Sequence, residues 1–312
     1  MPRRLRVALI GLGDIAAKAY LPVLAADPDV EPVLVTRDPV RRAELQRAWR
    51  VPDAFPTVAA AVADGSLDAG FVHTATAAHP GIAEELIDGG IATFVDKPLA
   101  LDAAAARSVV ARARAAQVSL AVLFNRRFAP AYADVARLPG LDTVVLTKNR
   151  LALPDAPRAV VFDDYVHVVD TLRFLVTPEP EDVQVLARPG PNGTLARVAI
   201  TTRQGGRLGV GIMDRDSGQT VEVLEAMAPG RSVRVVDLVD VVERYEGAAH
   251  RRQPDNWASV SAQRGFVAMV AAMLDSVRDG VVLDGADPLA SHELCERILG
   301  EVNAQLGWPG FI

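Results

Sequence analysis

The first 124 residues alternate short apolar runs with longer segments of helical periodicity. An apolar run bounded by turn residues predicts a strand, whereas apolar positions recurring about every 3.6 residues predict a helix. Strands that alternate with helices predict a parallel sheet, because parallel neighbours need a long crossover connection. The predicted strands are Leu5–Ile10, Pro32–Thr36, Ala69–His73, Thr93–Val95 and Ser119–Phe124, and two of the predicted helices are Pro80–Gly89 and Asp102–Ala116.

Beyond residue 124 the strand-like runs follow one another directly, with turn residues such as Gly205-Gly206 and Pro229-Gly230 between them. Short connections of this kind predict antiparallel strands. These strands are Asp182–Arg188, Leu195–Thr202, Arg207–Met213, Thr220–Met227 and Arg231–Val236, and the closing helices are Ser261–Arg278 and Pro288–Gln305. We therefore predict an α/β chain with two domains: a doubly wound parallel sheet over residues 1–124, and an α+β domain with a large, mainly antiparallel sheet over residues 125–312.

Composition narrows the class of protein. The chain is 50% hydrophobic and 23% charged, enough apolar material for a sizeable core, and its formal net charge is -6. The chain has no long basic run that would favour binding to nucleic acid. No apolar run reaches the roughly 20 residues that are needed to span a bilayer. Cys295 is the only cysteine, which excludes an internal disulfide and fits a cytoplasmic protein. The basic opening Arg3–Arg6 resembles a signal peptide, but a buried first strand explains the following apolar residues better.

A glycine-rich segment follows the first predicted strand and opens a helix. Gly11-Leu12-Gly13-Asp14-Ile15-Ala16 has the pattern G-x-G-x-x-A. The first glycine permits a tight turn, the second lets the backbone approach a pyrophosphate, and the small third residue lets helix and strand pack closely. Free main-chain N–H groups at the helix start, at Asp14 and Ile15, favour an anion. The segment predicts a Rossmann domain that binds a dinucleotide, although a tight turn without a ligand would show the same pattern.

The end of the second strand bears on the choice between NAD and NADP. An acidic residue there usually accepts the ribose 2′-OH of NAD. In this chain Thr36 holds that position, with Arg37 beside it and Arg41 and Arg42 one turn further on. A hydroxyl and guanidinium groups suit a 2′-phosphate, which favours NADP. The alternative is that the arginines form a solvated helix face and that Asp38, as a helix cap, reaches the ribose of NAD.

Several segments together resemble the Gfo/Idh/MocA family of oxidoreductases, and most closely its MviM-like subgroup. The resemblance extends over nearly the whole chain, including Gln263-Arg264-Gly265-Phe266 near the end. Two segments depart from the family's usual motifs: one has Ala75 and Thr76 in place of Pro and Asn, and the other has Asp96 in place of Glu. The matching segments are Phe71–His79 to V-I-A-T-P-N-x-x-H, Asp96–Ala100 to E-K-P-L-A, Asn125–Phe128 to N-R-R-F/Y, and Asp163–Asp170 to D-x-x-x-H-x-x-D.

The resemblance implies site residues as well as a fold. It places Thr74, His79, Lys97 and Arg127 at the cofactor, and it makes Lys97, His167 and Asp163 catalytic. Hydride transfer needs a group that exchanges the alcohol proton, and His167 can do so because histidine titrates near neutrality. Lys97 can donate to the substrate oxygen. Asp163, one helical turn before His167, would share its face, with Asp164 as the alternative and Asp170 as a structural residue.

The predicted function is hydride transfer between NADP or NAD and a sugar, polyol or related carbonyl compound. A competing hypothesis is a dinucleotide-binding sensor or partner protein without turnover. The Lys97, His167 and Asp163 set argues against the sensor, since a pure binder needs no acid/base group. A third hypothesis uses the cofactor for transient oxidation within another reaction, such as glycosidic-bond cleavage. We expect a small-molecule substrate, no metal, nucleic acid or membrane partner, and a homodimer or higher homo-oligomer formed through the second sheet.

Overall fold

The backbone forms two sheets in a computed structural model that describes residues 3–252 and 257–307. The strands are β1 (Leu5–Ile10), β2 (Val30–Val35), β3 (Asp53–Phe55), β4 (Ala69–Val72), β5 (Ala92–Asp96), β6 (Leu120–Leu123), β7 (Thr143–Asn149), β8 (Asp182–Pro189), β9 (Leu195–Gln204), β10 (Arg207–Asp214), β11 (Val221–Ala228), β12 (Arg231–Val236), β13 (Asp240–Tyr245) and β14 (Ala248–Arg252).

The helices include two π-helical segments, Ala16–Tyr20 and Val160–Tyr165, each of which runs into an α-helix. The α-helices are α1 (Leu21–Ala26), α2 (Pro39–Trp49), α3 (Val58–Ala63), α4 (His79–Asp88), α5 (Ala103–Ala116), α6 (Pro130–Ala136), α7 (Pro157–Ala159), α8 (Val166–Leu175), α9 (Val260–Gln263), α10 (Phe266–Arg278) and α11 (Ala286–Leu306). Short 3-10 turns occupy Thr76–Ala78, Asn125–Phe128 and Pro191–Gly193.

The first compact unit comprises Met1–Leu123 and Phe266–Leu289. Its sheet has the order β3-β2-β1-β4-β5-β6, and every pairing in it is parallel. All four residues of β4 are buried, as expected for a strand that is covered on both faces. The doubly wound parallel sheet predicted from the sequence is confirmed.

Phe266–Leu289 returns to this first unit, although the sequence boundary had assigned all of residues 125–312 to the second domain. The reason lies in specific contacts of α10 and of the segment after it. The Phe266 ring packs edge-on against Tyr20, with centroids 5.3 Å apart. Arg278 donates to Asp27 at 3.0 Å, and the main-chain N–H of Leu120 donates to Leu283 at 2.7 Å.

One predicted helix, Ser261–Arg278, is wrong as a single element. The chain breaks at Gly265, where φ is +83°, so that α9 ends before it and α10 begins after it. A Cβ atom at Gly265 would lie 2.4 Å from the main-chain nitrogen of Ala129 and from the carbonyl oxygen of Asn125. Only glycine tolerates both this conformation and this close approach.

The second compact unit comprises Phe124–Gly265 and Ala290–Ile312. Its sheet has the order β14-β13-β12-β11-β7-β10-β9-β8 and is antiparallel except for the β7–β10 pair. Helix α8 covers one face of this sheet and packs closely on Gly211 of β10. A Cβ atom at Gly211 would lie 2.5 Å from the side chain of Val168, and the Tyr165 hydroxyl donates to the Gly211 carbonyl at 2.8 Å. The large, mainly antiparallel sheet is confirmed, with β7, β13 and β14 added to the predicted strands.

Candidate active site

The glycine-rich turn between β1 and the first helical segment has the conformation that its sequence predicted. Gly11 has φ of +81°, a region that L side chains rarely adopt. A Cβ atom there would lie 2.8 Å from the main-chain carbon and oxygen of His73 and from the side chain of Thr74. Glycine is therefore required at position 11 for two reasons, the backbone angle and the close approach of the chain after β4.

A cavity of about 740 Å³ opens beside this turn, within the first unit. Its volume falls in the range of sites that bind cofactors and small molecules. The predicted cofactor residues that line it are Gly11, Gly13, Thr36, Arg37 and Thr74. A Cβ atom at Gly13 would meet no atom within 4 Å, so this glycine leaves space at the cavity wall. These residues fit a dinucleotide, because the helix N-terminus beside the cavity carries no side chain that would block a pyrophosphate from its main-chain N–H groups.

Gly13→Val is expected to abolish detectable dinucleotide binding while leaving the melting temperature almost unchanged. The added side chain projects into empty space, so it disturbs no packing, but it occupies the approach of the pyrophosphate. Titration of NADPH fluorescence and thermal melting measure the two effects. Gly13→Ala, which adds one methyl group, should lose less affinity. Unchanged affinity in the valine variant would show that the turn does not hold the phosphates.

Two further residues of the fingerprint face solvent. Asp14 is exposed and forms an ion pair with Lys18 at 2.7 Å, a hydrogen bond that lowers the pKa of the Asp14 carboxyl. Ile15 is 42% exposed. The helix that they begin passes directly into the π-helical segment Ala16–Tyr20. Any contribution of Asp14 and Ile15 to an anion site would come from their main-chain N–H groups rather than from their side chains.

The arginines after the second strand divide into two kinds. Arg41 donates through Nε to the carbonyl of Leu12 at 3.2 Å, and Arg42 donates to the carbonyl of Thr36 at 2.6 Å, so both brace the backbone around the cavity. Asp38 caps α2, since its Oδ1 accepts the first main-chain N–H groups of that helix at 2.9 and 3.0 Å. Arg37 is exposed and lines the cavity, and among the described residues no ion pair or hydrogen bond engages its guanidinium.

His79 holds two backbone segments rather than lining the cavity. It is 2% exposed, with Nδ1 lying 2.8 Å from the carbonyl oxygen of Pro98 and Nε2 lying 2.9 Å from that of Thr74. Both ring nitrogens are thus engaged by the main chain. Lys97, which follows β5, is partly buried, and its main-chain N–H donates to Asp96 Oδ1 at 2.8 Å. The histidine that the motif placed at the cofactor therefore clamps the loop after Lys97 to the loop after β4.

Arg127, another predicted cofactor residue, makes a bidentate ion pair within the second unit. Its Nε and Nη2 atoms donate to the two oxygens of Asp170 at 2.9 and 2.6 Å. The Ser291 hydroxyl donates to the same carboxylate at 3.0 Å, and Asp170 is 1% exposed. A buried carboxylate with this set of donors has a structural role. Asp170 therefore fits its structural interpretation, and Arg127 is the residue that neutralises it.

The segment that carries the predicted acid/base residues is not a single α-helix. Asp163 lies in the π-helical segment Val160–Tyr165, whereas His167 lies in the first turn of α8. Asp163 is exposed and His167 is 8% exposed. Neither Asp163 nor Asp164 caps the helix, because helical backbone already begins at Pro157. The prediction of one regular α-helix turn between Asp163 and His167 is wrong, since the π-segment widens the helix there.

Asp164, the alternative to Asp163, is committed to buried ion pairs. Lys148 donates to it at 2.5 Å, Arg150 donates to both of its oxygens at 2.7 Å, and Arg215 donates at 2.8 Å. Burial by itself would raise the pKa of the Asp164 carboxyl, but the hydrogen bonds and charges of Arg150 and Lys148 outweigh it and hold the pKa well below the ordinary value. We call Asp164, Lys148, Arg150 and Arg215 the Asp164 cluster.

A second buried ion pair lies beside the Asp164 cluster. Arg126 donates to both oxygens of Glu222 at 2.8 and 2.6 Å, and the Tyr132 hydroxyl donates to Glu222 at 3.0 Å. Burial opposes ionisation of Glu222, but Arg126 lowers its pKa to about 2. Burial, together with the positive charge of Arg126, lowers the pKa of Lys148 to about 7. The sequence analysis did not predict these two groups of buried ion pairs. The available signal was the alternation of side chains along β7, which places Lys148 on the same buried face as Val144 and Leu146.

The parallel sheet, the glycine turn and its cavity define the first unit as a Rossmann domain, and residues 5–124 match the profile of the oxidoreductase family with an NAD-binding Rossmann fold. Residues 130–246 match the profile of the YceM-like C-terminal domain. The YceM protein of Salmonella typhimurium is 32% identical over 301 residues, which cover 91% of this chain and 93% of that protein. The chain belongs to the Gfo/Idh/MocA family of oxidoreductases, as its motifs predicted.

Two further comparisons agree with this assignment. The crystal structure of a Gfo/Idh/MocA family oxidoreductase from Vibrio cholerae superposes with a TM-score of 0.92 at 32% identity, covering 97% of this chain and 99% of that one. The myo-inositol dehydrogenase Hyg17 of Streptomyces leeuwenhoekii is 32% identical over 192 residues, 58% of each chain. Within residues 3–252 and 257–307 no helix is long and apolar enough to cross a membrane, and no group of metal-ligating side chains is assembled.

Proposed function

We propose that the protein transfers a hydride between a nicotinamide dinucleotide and a CH–OH or C=O carbon of a sugar, polyol or related compound. The observation that carries the proposal is the cavity beside the Gly11–Gly13 turn, in a chain of an oxidoreductase family. Two relatives named as inositol dehydrogenases support the polyol class. The cofactor, when bound, would supply or accept the hydride, and residues of this chain would handle the proton and the charge on oxygen.

We assign Lys97 as the donor to the substrate oxygen and His167 as the group that exchanges the hydroxyl proton. Histidine suits this task because its ordinary pKa is close to neutral pH. We assign Asp163, which is exposed, to orient the substrate, whereas Asp164 lies in its cluster of ion pairs. The support for these roles is the match to D-x-x-x-H-x-x-D and to the lysine of E-K-P-L-A.

Turnover tests the proposed function directly. The purified protein is incubated with NADP or NAD and a panel of polyols and sugars that includes myo-inositol, and with NADPH or NADH and the corresponding ketones and aldoses. Reduced cofactor is followed by absorbance. Cofactor-dependent turnover of any compound supports the proposal. Tight cofactor binding without turnover across the panel favours the sensor hypothesis, and cofactor that copurifies and is regenerated in each cycle favours transient oxidation.

For the cofactor we propose NADP in preference to NAD. Arg37 lines the cavity with its guanidinium unengaged by other described residues, and the carboxylate of Asp38 is used as a helix cap. A guanidinium in this setting suits a 2′-phosphate, with which it can form bidentate hydrogen bonds. Thr36, beside it on the cavity wall, offers a hydroxyl to the same group.

Arg37→Ala is expected to weaken NADPH binding by about one to two decades in Kd, the effect of losing a charge-assisted contact of roughly 1.5–3 kcal/mol. NADH binding should hardly change, since NADH has no 2′-phosphate. Arg47→Ala is the matched control, because Arg47 is an exposed arginine of α2 that does not line the cavity. Equal losses for both cofactors, or a wild-type preference for NADH, would contradict the assignment.

We also propose that the chain forms a homodimer or higher homo-oligomer through the second sheet. The face opposite α8 carries partly exposed apolar side chains along its central strands, among them Val145, Val210, Ile212 and Val223. Leu186, on β8, is 73% exposed. A broad apolar sheet face of this kind is rarely left to water.

Sedimentation at micromolar concentration should therefore give at least twice the 33.2 kDa mass of one chain. Val210→Glu, in the middle of the open face, should shift the protein towards a single chain, because it places a charge in an apolar interface. Val40→Glu is the control, since Val40 is 66% exposed on α2 of the first unit. A wild-type mass near that of one chain would overturn the proposal.

A further inference from the structure

His73 directly follows β4 at the wall of the cavity, and no function was predicted for it. Its main-chain N–H donates to the carbonyl of Ile10 at 2.7 Å, and its carbonyl lies against Gly11. The side chain is fully buried, with 0% exposure. The glycine turn therefore fixes the backbone of His73, and its ring points into the interior of the first unit.

The ring reaches the residue that precedes Lys97. Nδ1 of His73 lies 3.3 Å from Oδ2 of Asp96, and the other oxygen, Oδ1, accepts the main-chain N–H of Lys97 at 2.8 Å. An ionised carboxylate only accepts, so Nδ1 is the donor in this contact. The Asp96 carboxylate thus bridges the buried imidazole and the main chain at Lys97.

Apart from the contact with Asp96, the ring of His73 packs against an aromatic side chain. Its centroid lies 4.0 Å from that of Tyr20, a fully buried residue of the π-helical segment. Among the described residues neither Nε2 of His73 nor the Tyr20 hydroxyl has a hydrogen-bond partner. A leucine would pack against Tyr20 without leaving a buried nitrogen unsatisfied. The contact with Asp96 is therefore what a histidine adds at this position.

We propose that His73 is a positioning residue that, through Asp96, sets the conformation of the chain at Lys97. His73 and Asp96 stand where the patterns V-I-A-T-P-N-x-x-H and E-K-P-L-A have Ala and Glu, and these two departures contact each other. His79 holds the following residue, Pro98, so both neighbours of Lys97 are tied to the segment after β4. The significance for catalysis rests on the role proposed above for Lys97.

The lysine content of the chain permits a direct test. Of the 33 lysines and arginines only three are lysines, namely Lys18, Lys97 and Lys148. Reductive methylation with ¹³C-formaldehyde therefore gives a spectrum with few methyl signals, which Lys18→Arg and Lys97→Arg assign. In His73→Leu, which removes the donor but keeps bulk, we expect the Lys97 signal to move by more than its linewidth. The Lys18 signal, from an exposed residue, should stay in place.

His73→Asn is the matched control, because its amide N–H can replace the Nδ1 donor, and it should restore the Lys97 signal towards the wild-type position. Asp96→Ala should move that signal as His73→Leu does, and the double variant should move it no further; Asp96→Ala also serves if His73→Leu does not fold. An unmoved Lys97 signal in the folded variants, or a shift in His73→Asn as large as in His73→Leu, would overturn the proposal. Normal turnover in Lys97→Met would instead overturn the catalytic role of Lys97 and leave this result standing.

Discussion

Asp164→Asn is expected to lower the free energy of unfolding by about 3–5 kcal/mol, the usual cost of removing one partner from a buried ion pair. Three cations, Lys148, Arg150 and Arg215, converge on this carboxylate, and the side chains of Lys148 and Arg215 are only 4% and 6% exposed. An amide of the same shape leaves their charges uncompensated in a place where water cannot replace the lost partner. The loss should therefore exceed that of an ordinary surface ion pair several-fold.

Urea unfolding of the wild type and the variant measures this difference. Asp182→Ala is the matched control, since Asp182 pairs with Arg203 at 2.7 Å in the same unit, with side chains that are 38% and 62% exposed. Exposed pairs contribute only about 0–1 kcal/mol, because solvent screens them. If Asp164→Asn were no more destabilising than Asp182→Ala, the Asp164 cluster would not contribute to the stability of the fold.

The effect of Asp164→Asn should also depend on pH in a definite direction. The pKa of Asp164 in the folded protein lies below the roughly 3.9 of an unfolded aspartate. As the pH falls, Asp164 is therefore protonated in the unfolded chain before it is protonated in the folded protein. The stability that the ionised carboxylate contributes is lost as the pH falls towards the pKa of the folded state. The difference between wild type and variant should be full from about pH 5 up to the Lys148 pKa of about 7, and it should shrink below about pH 4.

The first unit could be predicted closely because its determinants are local. The strand Leu5–Ile10 was predicted with the bounds it has, and Gly11 has the positive φ that its place in the turn requires. In the second unit, the strand Arg231–Val236 was predicted with equal accuracy, because turn residues bound it on its N-terminal side. In each case the backbone conformation follows from neighbours in sequence, so the pattern alone carries the information.

Other features depend on residues distant in sequence. Gly265 breaks the predicted helix because its backbone lies against Ala129, more than a hundred positions earlier. The choice between Asp163 and Asp164 depends on Lys148, which lies in strand β7, and on Arg215, which directly follows strand β10. Sequence spacing placed both carboxylates near His167, but only the pairing of the sheet determines which one is buried in ion pairs.

Lys97→Met and His167→Ala are each expected to lower kcat by about two decades or more, the scale of a positioned proton-transfer group. In the mechanism proposed above, His167 would take the hydroxyl proton of the substrate in the oxidising direction, and Lys97 would stabilise the charge that develops on the same oxygen. Neither residue lines the cavity beside the glycine turn, so the affinity for the cofactor should change much less than kcat. Steady-state kinetics with a substrate from the turnover panel, beside a cofactor titration, separates the two effects.

The double variant makes this mechanism specific. When two residues act on one oxygen in one transition state, removing the first already removes most of the effect of the second. The kcat of the double variant should therefore fall far less than the product of the two single losses. Arg127→Lys is a useful comparison, because Arg127 pairs with Asp170 and its loss should affect stability more than the chemical step. Near-normal kcat in both single variants would place the chemistry elsewhere. Losses that multiply fully would mean that Lys97 and His167 act in separate steps, since only residues that share a transition state become redundant when one of them is removed.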